Sequence, residues 1–456
     1  MRFRRRWIAY GLILALSPCD APGQERPGSA SGETGPLTLP EAVRMALEFH
    51  PAVGEARAKA DVASGALYQA RSALFPSLFS DASLTRHQEP MLVAPLHGFD
   101  PTMAPSFDRS LVRGNLTLGY SLFDGGARGA RIGQAEAGEA VARHGELASE
   151  MDLVTEVSGA YLDVIASAEL LQAAERQGEA LRAEEERVRQ FLTEGKAARV
   201  DLLRVQTSLS QSEATEISIR SHLEVARGRL ARLTGIREDQ IRGRGLAGAA
   251  LRSSPVESLA VAMERAREVS PELAMGRQQV AGAVAGVREA RANWLPTLHL
   301  AGAYSDFGTV DGAHVQEWQG SVQVSFPLFT GGAREAERQR AEAEERKASE
   351  ALRRIELEVE EGVEEALALV VESRARREAL ERAVEQAEEV ARIEALALEV
   401  GAGVQTDFLR AQAEFFHSQA ALTEARHGEA MAGIRLARVM GDLTLEWVRE
   451  TMEVVR

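Results

Sequence analysis

The sequence predicts a mainly α-helical protein that also carries a membrane β-barrel, built from long coiled-coil-like helical hairpins and a few short strands. Three observations predict it. Residues 115–123 and 321–329 each alternate apolar and polar side chains, the period of a strand with one greasy and one wettable face. Each is followed by Gly-Gly-Ala-Arg and then by about 65 residues of unbroken helical patterning. Landmarks of the first half return in the second at fixed spacing, so the chain is two renderings of one plan.

In the first ribbon Leu116, Leu118, Tyr120 and Leu122 share a face, and Asp124-Gly125-Gly126-Ala127-Arg128 follows. In the second the positions are Val322, Val324, Phe326 and Leu328, and Thr330-Gly331-Gly332-Ala333-Arg334 follows. Small or polar residues fill the gaps. Such a wall suits lipid outside and water inside, so these eight residues are the expected lipid-facing strand positions.

The chain has 456 residues, of which 27% are charged and 5% aromatic, with a formal net charge of −15. That length exceeds one compact core. Abundant Ala, Glu, Arg, Leu and Val favours long helices. No basic face stands out, which argues against nucleic acid as a partner. Residues 1–23 read as a cleaved export signal: Arg2, Arg4, Arg5 and Arg6, an apolar run from Trp7 to Leu16, and small residues at Ala21-Pro22-Gly23. The only cysteine, Cys19, lies inside it, and Pro18 disfavours lipidation there. After Gln24 no run of about 18 apolar residues appears, so any span must be made of strands.

The expected organisation is a signal peptide (1–23), a flexible segment (24–36), a first repeat (37–235), a linker (236–255), a second repeat (256–441) and a tail (442–456). Pro51 and Pro76 recur as Pro271 and Pro296, 220 residues on. Gly125, Gly195, Asp201 and Gly235 recur as Gly331, Gly401, Asp407 and Gly441, 206 residues on. The 14-residue difference puts a longer loop in the first half. Each repeat opens with a helix, from Leu39 or Val256, that stops at Pro76 or Pro296, because proline ends a helix and extends the residue before it. Strand pairs are expected at 77–86 with 114–123 and at 297–306 with 320–329, joined by loops 87–113 and 307–319.

The long helices run to Thr193 and Val400, about 100 Å at 1.5 Å per residue. A narrow seam of Leu352, Ile355, Val359, Gly362, Ala366 and Leu369 predicts coiled-coil contacts along the flanks. Charge runs such as Glu184-Glu185-Glu186 read as solvated helix face. Turns at Gly195 and Gly401 use the left-handed conformation of a helix end, and return helices follow over 200–234 and 406–440. Four strands cannot close a barrel alone, and an open edge in hydrocarbon leaves backbone groups unpaired. Two copies would supply eight strands, and three would supply twelve with room for a channel.

From Leu37 to Gly441 this layout resembles the TolC family of outer-membrane efflux and secretion channels. The resemblance is carried by Leu-Phe-Asp-Gly-Gly (122–126), Leu-Phe-Thr-Gly-Gly (328–332), the Pro76 and Pro296 breaks, and two hairpin turns each followed by Asp. It implies a homotrimer, with a twelve-stranded barrel in outer-membrane lipid above a trimeric α-barrel across the periplasm. It implies a passive conduit of a tripartite efflux or type I secretion system, opened at its tip by a periplasmic adaptor and an inner-membrane transporter. No cofactor, no metal and no catalytic residue are implied.

The resemblance places Asp407, and in the first half Asp201, at an acidic pore-ring position. One turn on from Asp407, where the best-known member of that family carries a second Asp, this chain has Arg410, which can pair with Asp407 at i,i+3, and Arg204 again follows Asp201. Gly403 stands where the family has a salt-bridging Arg. Gly195, Gly401, Gly403 and Thr406 are the expected adaptor contacts. Asp201 and Asp407 also suit the start of a helix, where carboxylates offset the dipole, and both roles can hold together. The alternative reading is a periplasmic adaptor or coiled-coil scaffold with no pore, which leaves the two ribbons without a purpose. The nine histidines are scattered, and neither Gly-Gly pair precedes the Lys-Ser or Lys-Thr of a phosphate loop.

Overall fold

A computed structural model describes residues 35–96, 104–252, 258–312 and 314–455. The expected signal peptide and Cys19 lie outside the described residues, as does most of segment 24–36. The first half contains α1 (Leu39–Phe49), α2 (Pro51–Ser72), β1 (Ser77–Leu92), β2 (Phe107–Phe123), α3 (Ala127–Thr193) and α4 (Arg199–Thr234). Then come α5 (Glu238–Arg244) and β3 (Gly248–Leu251). The second half contains α6 (Leu259–Val269), α7 (Pro271–Ala292), β4 (Thr297–Thr309), β5 (His314–Ser325), α8 (Ala333–Glu399) and α9 (Gln405–Met440). The chain closes with α10 (Leu445–Thr451) and β6 (Met452–Val455).

Equivalent helices have equal lengths: 11, 22, 67 and 36 residues in each half. Each incoming helix is in fact two. His50 and Ser270 take extended angles because Pro51 and Pro271 follow them. Their side chains then accept the N–H of Ala52 and Leu273 as caps for α2 and α7.

The four main strands form one antiparallel sheet in the order β1-β2-β4-β5. Its strands are longer than expected, so much of 87–113 and 307–319 is ladder rather than loop. β5 is the exception. It stops at Ser325, because Pro327 has no N–H to give a ladder. Phe326 and Leu328 therefore lie beyond the strand they were assigned to. Leu122 falls at a register shift between Ser121 and Phe123.

The described parts of the expected linker and tail also form regular structure. β3 pairs with β6, Gly248 opposite Val455, and Leu37 bridges Leu246 in parallel. Around this knot sits the main core: Leu37, Val43, Val154, Val157, Leu230, Ile434 and Val448, with Tyr161 fully enclosed. The Tyr161 hydroxyl lies 2.7 Å from both Leu37 O and Ala247 O, one proton between two carbonyls. Burial pushes its phenol pKa up. A smaller core of Ala262, Ala266, Val363, Leu367 and Met440 serves the second half.

Candidate functional site

Register decides what each face of the sheet carries. Residues opposite one another across antiparallel strands point the same way. One row therefore reads Ser80, Leu116, Tyr304, Trp318, and the next reads Leu78, Leu118, Gly302, Gly320. A third reads Tyr120, Leu300, Val322, and Leu298 with Val324 follow. Trp318 on this face is 79% exposed. The alternate row on the opposite face reads Asp81, Asn115, Ser305, Glu317, with Asn115 Nδ2 donating to Asp81 Oδ2 at 2.7 Å. Five of the eight expected positions, Leu116, Leu118, Tyr120, Val322 and Val324, thus share one apolar face. Beyond it, at the strand-to-helix junctions, Phe75, Leu328 and Phe329 are exposed as well.

Below the sheet each Gly-Gly pair turns the chain into a long helix with positive φ at both glycines. The first junction is clamped. Asp124 accepts the N–H groups of Gly126 and Arg128 and ion-pairs with Arg128 at 3.2 Å and Arg131 at 3.6 Å. Arg128 reaches back to Leu122 O. In the second junction Arg334 reaches back to Leu328 O in the same way, but only a Thr330 hydroxyl stands where Asp124 stood. Arg334 lies instead over the Trp294 ring, 4.6 Å from its centroid.

At the far end, both tips close alike. Gly195 and Gly401 have φ of 75° and 78°. Lys196 N–H donates to Phe191 O at 2.8 Å, and Ala402 N–H to Ala397 O at 2.9 Å. A Cβ at Gly403 would lie 2.8 Å from Leu398 N, so any larger residue there must displace the turn. Asp201 acts as a helix-start group: Oδ2 accepts the Ala198 N–H at 3.2 Å and Oδ1 takes Arg204 at 3.3 Å. Asp407 sits in the first turn of α9, 3.8 Å from Arg410, with both side chains largely exposed. Arg204, Thr406 and Arg410 come together along one shallow groove between α4 and α9, beside Val200, Leu203 and Leu409.

The tip also holds a contact that sequence patterning missed. Gln405 Nε2 donates to Glu184 Oε1 at 2.8 Å, both side chains buried, and Arg187 closes on the same carboxylate at 2.6 Å. This bond ties the second hairpin to the first. Glu184 is therefore not solvated face, as its Glu-rich run implied, because α9 packs over that part of α3. Nothing in the local pattern distinguishes Glu184 from Glu186. Asp124 was legible in principle, as an Asp just before a helix start.

Comparison with known proteins places this architecture. A family model described as outer membrane efflux protein matches residues 42–236 and 262–442. Protein CyaE of Bordetella pertussis is 27% identical over 394 residues, covering 84% of this chain and 79% of that protein. Outer membrane efflux protein BepC of Brucella suis is 23% identical over 341 residues, covering 73% and 72%. The outer membrane protein VceC from Vibrio cholerae superimposes with a TM-score of 0.76 at 20% identity, covering 88% of this chain and 96% of that one.

Proposed function

Since this chain belongs to the outer membrane efflux protein family and is an outer-membrane efflux or secretion channel, we propose that it works as a passive homotrimeric conduit from periplasm to exterior. The observation that carries this reading is the register of the sheet. From the Leu298 row to the Trp318 row the four strands present a mainly apolar face, broken by Ser80 and, one row on, by Asp306 and Gln316, with a more polar face opposite, and the outer edges of β1 and β5 pair with no further strand among the described residues. In lipid those edges must be closed. Three copies give twelve strands and a water-filled bore. The 67-residue helices reach about 100 Å beneath it.

The chain is exported by a cleaved signal peptide and held in outer-membrane lipid by the apolar face. The hairpin tips form the closed end. Three copies of Asp407, with Asp201 beside them, ring the axis and favour cations, while Arg410 and Arg204 moderate that charge. A periplasmic adaptor engages the turns at Gly195, Gly401, Gly403 and Thr406, and with an inner-membrane transporter it rotates the hairpins apart. The Gln405–Glu184 bond resists that rotation within each copy. The protein itself performs no chemistry.

Purified protein reconstituted in planar bilayers tests this directly. Expected are discrete conductance steps from a particle of three chains by native mass spectrometry, biased toward cations. A water-soluble, non-conducting protein would support the adaptor or scaffold reading instead.

A further inference from the structure

A recess of about 600 Å³ lies under the sheet, where the chain turns into α3 and α8. The strand residues that line it are Ser121, Thr297, His299 and Ser325. All four share the polar face with Asn115, Ser305 and Glu317. On the conduit reading above, the recess therefore opens into the bore, at the step from helical tunnel to barrel.

Three guanidiniums reach the recess, and two of them are already engaged. Arg128 and Arg131 share Asp124 at 3.2 and 3.6 Å, and Arg131 also meets Glu289 at 3.4 Å. Arg334 differs, because Thr330 stands where the first junction has its Asp. Among the described residues no carboxylate pairs with it. Its side chain makes two long bonds, 3.4 Å to Thr330 Oγ1 and 3.4 Å to Leu328 O. A guanidinium carries more N–H donors than those two contacts use. The Trp294 ring, with its centroid 4.6 Å away, steadies the group. Glu337, the other acid of the recess, accepts Asn293 Nδ2 at 2.9 Å.

Two further donors lack partners. Ser121 Oγ is buried with no hydrogen bond, and such a group calls for a bound partner. The exposed His299 ring has none among the described residues either. Donors thus converge where the acceptors are already engaged, so what fits must bring oxygens and negative charge. The first turn of α8 adds its dipole in the same sense. Leu295 and Pro327 line the same recess and can cover an apolar body. We propose that the recess holds the carboxylate of a small organic anion in transit, with Arg334 as its charged partner and Ser121 and His299 as hydrogen-bond donors. A carboxylate matches the guanidinium fork. Free phosphate shares the oxygens but leaves Leu295 and Pro327 bare, and a lipid headgroup meets the other face of the sheet. The inference deepens the conduit reading and rests on it for the side the recess faces.

Fluorine NMR on the full chain in lipid nanodiscs tests this, with para-fluorobenzoate as the probe. The probe should bind saturably, and its neutral analogue para-fluorobenzamide roughly tenfold more weakly. Arg334→Gln should weaken fluorobenzoate roughly tenfold, and Thr330→Asp, which supplies an internal carboxylate, should do the same. Arg86→Gln, on the outer part of β1, should change nothing. Equal binding of acid and amide, or unchanged binding in Arg334→Gln and Thr330→Asp, overturns the proposal. Displacement of the probe by equimolar inorganic phosphate overturns the organic class. Where Arg334→Gln assembles poorly, Thr330→Asp decides, since it keeps the guanidinium in place. The same samples in planar bilayers separate the two possible failures. Conductance steps without fluorobenzoate binding remove the recess and leave the conduit intact; a non-conducting, water-soluble protein removes both.

Discussion

The two long helices are the same length and follow the same Gly-Gly turn, yet they live in different surroundings. On α3, Met151, Val154, Val157, Tyr161, Leu181 and Val188 are buried along its course. On α8, burial is confined to a short stretch from Val363 to Ser373. The first helix packs against elements of both halves; the second, among the described residues, packs mainly against α6, α7 and α9 of its own half. In a protein most of a helix's stability comes from packing of its apolar face rather than from propensity. The difference shows that equal sequence patterns fix equal local structure, while burial depends on what the chain can reach.

Substitutions at paired positions sharpen this contrast. The largest effect is expected from Gly125→Ala, which adds a left-handed non-glycine residue and a clash with Ala292 O. It should cost about 3 kcal/mol in urea unfolding, whereas Gly331→Ala should cost about 1 kcal/mol in the dissociated chain. Equal losses in monomeric chain would break the comparison. Next, Tyr161→Phe should cost about 2 kcal/mol, because a buried carbonyl loses its donor. Tyr161's repeat mate is Leu367, which has no hydroxyl to lose. The folded phenol pKa is raised, so its contribution is fully present below the unfolded value of about 10 and is lost as pH rises beyond it. The stability gap between wild type and Tyr161→Phe should therefore narrow only in strong alkali.

Asp124→Thr makes the first junction like the second and should cost about 1.5 kcal/mol. The reciprocal Thr330→Asp should gain a few tenths; a loss there would mean that Arg334 already meets its charge need elsewhere. At the tips, Gln405→Ala unbinds Glu184 and should raise the open probability in bilayers about fivefold, corresponding to about 1 kcal/mol. Its repeat mate Arg199 faces no such carboxylate, since Glu184 corresponds to Val390, and Arg199→Ala should leave gating unchanged. Arg410→Ala should have the smallest effect, well under 1 kcal/mol on stability, but it should move the reversal potential toward stronger cation selectivity. An unmoved potential would remove Asp407 from the pore ring.

Much of the fold was legible. The boundaries of α3, α4, α8 and α9 follow from glycines at their ends and a steady helical period between them. The apolar face was legible wherever the ladder stays regular, as at Leu116 to Tyr120 and Val322 to Val324. It failed at Leu122 and beyond Ser325, where a bulge and Pro327 end the alternation's meaning. The tips were legible as turns, but not Gln405 and Glu184, because their partnership joins residues 221 apart. The strands of the linker and tail were missed for the same reason: four-residue strands hold only once they pair with each other and pack on the core.

Sequence alone determined the period of each element, the places where glycine or proline must break it, and the duplication, since all three are set by local sterics and by side-chain polarity. Only the tertiary structure decided which copy of each motif is enclosed and which stands open, which carboxylate of a charged run is buried, and how Leu37, the linker strand and the tail strand knot around Tyr161. Those outcomes depend on distant residues arriving together, and no local period records such a meeting.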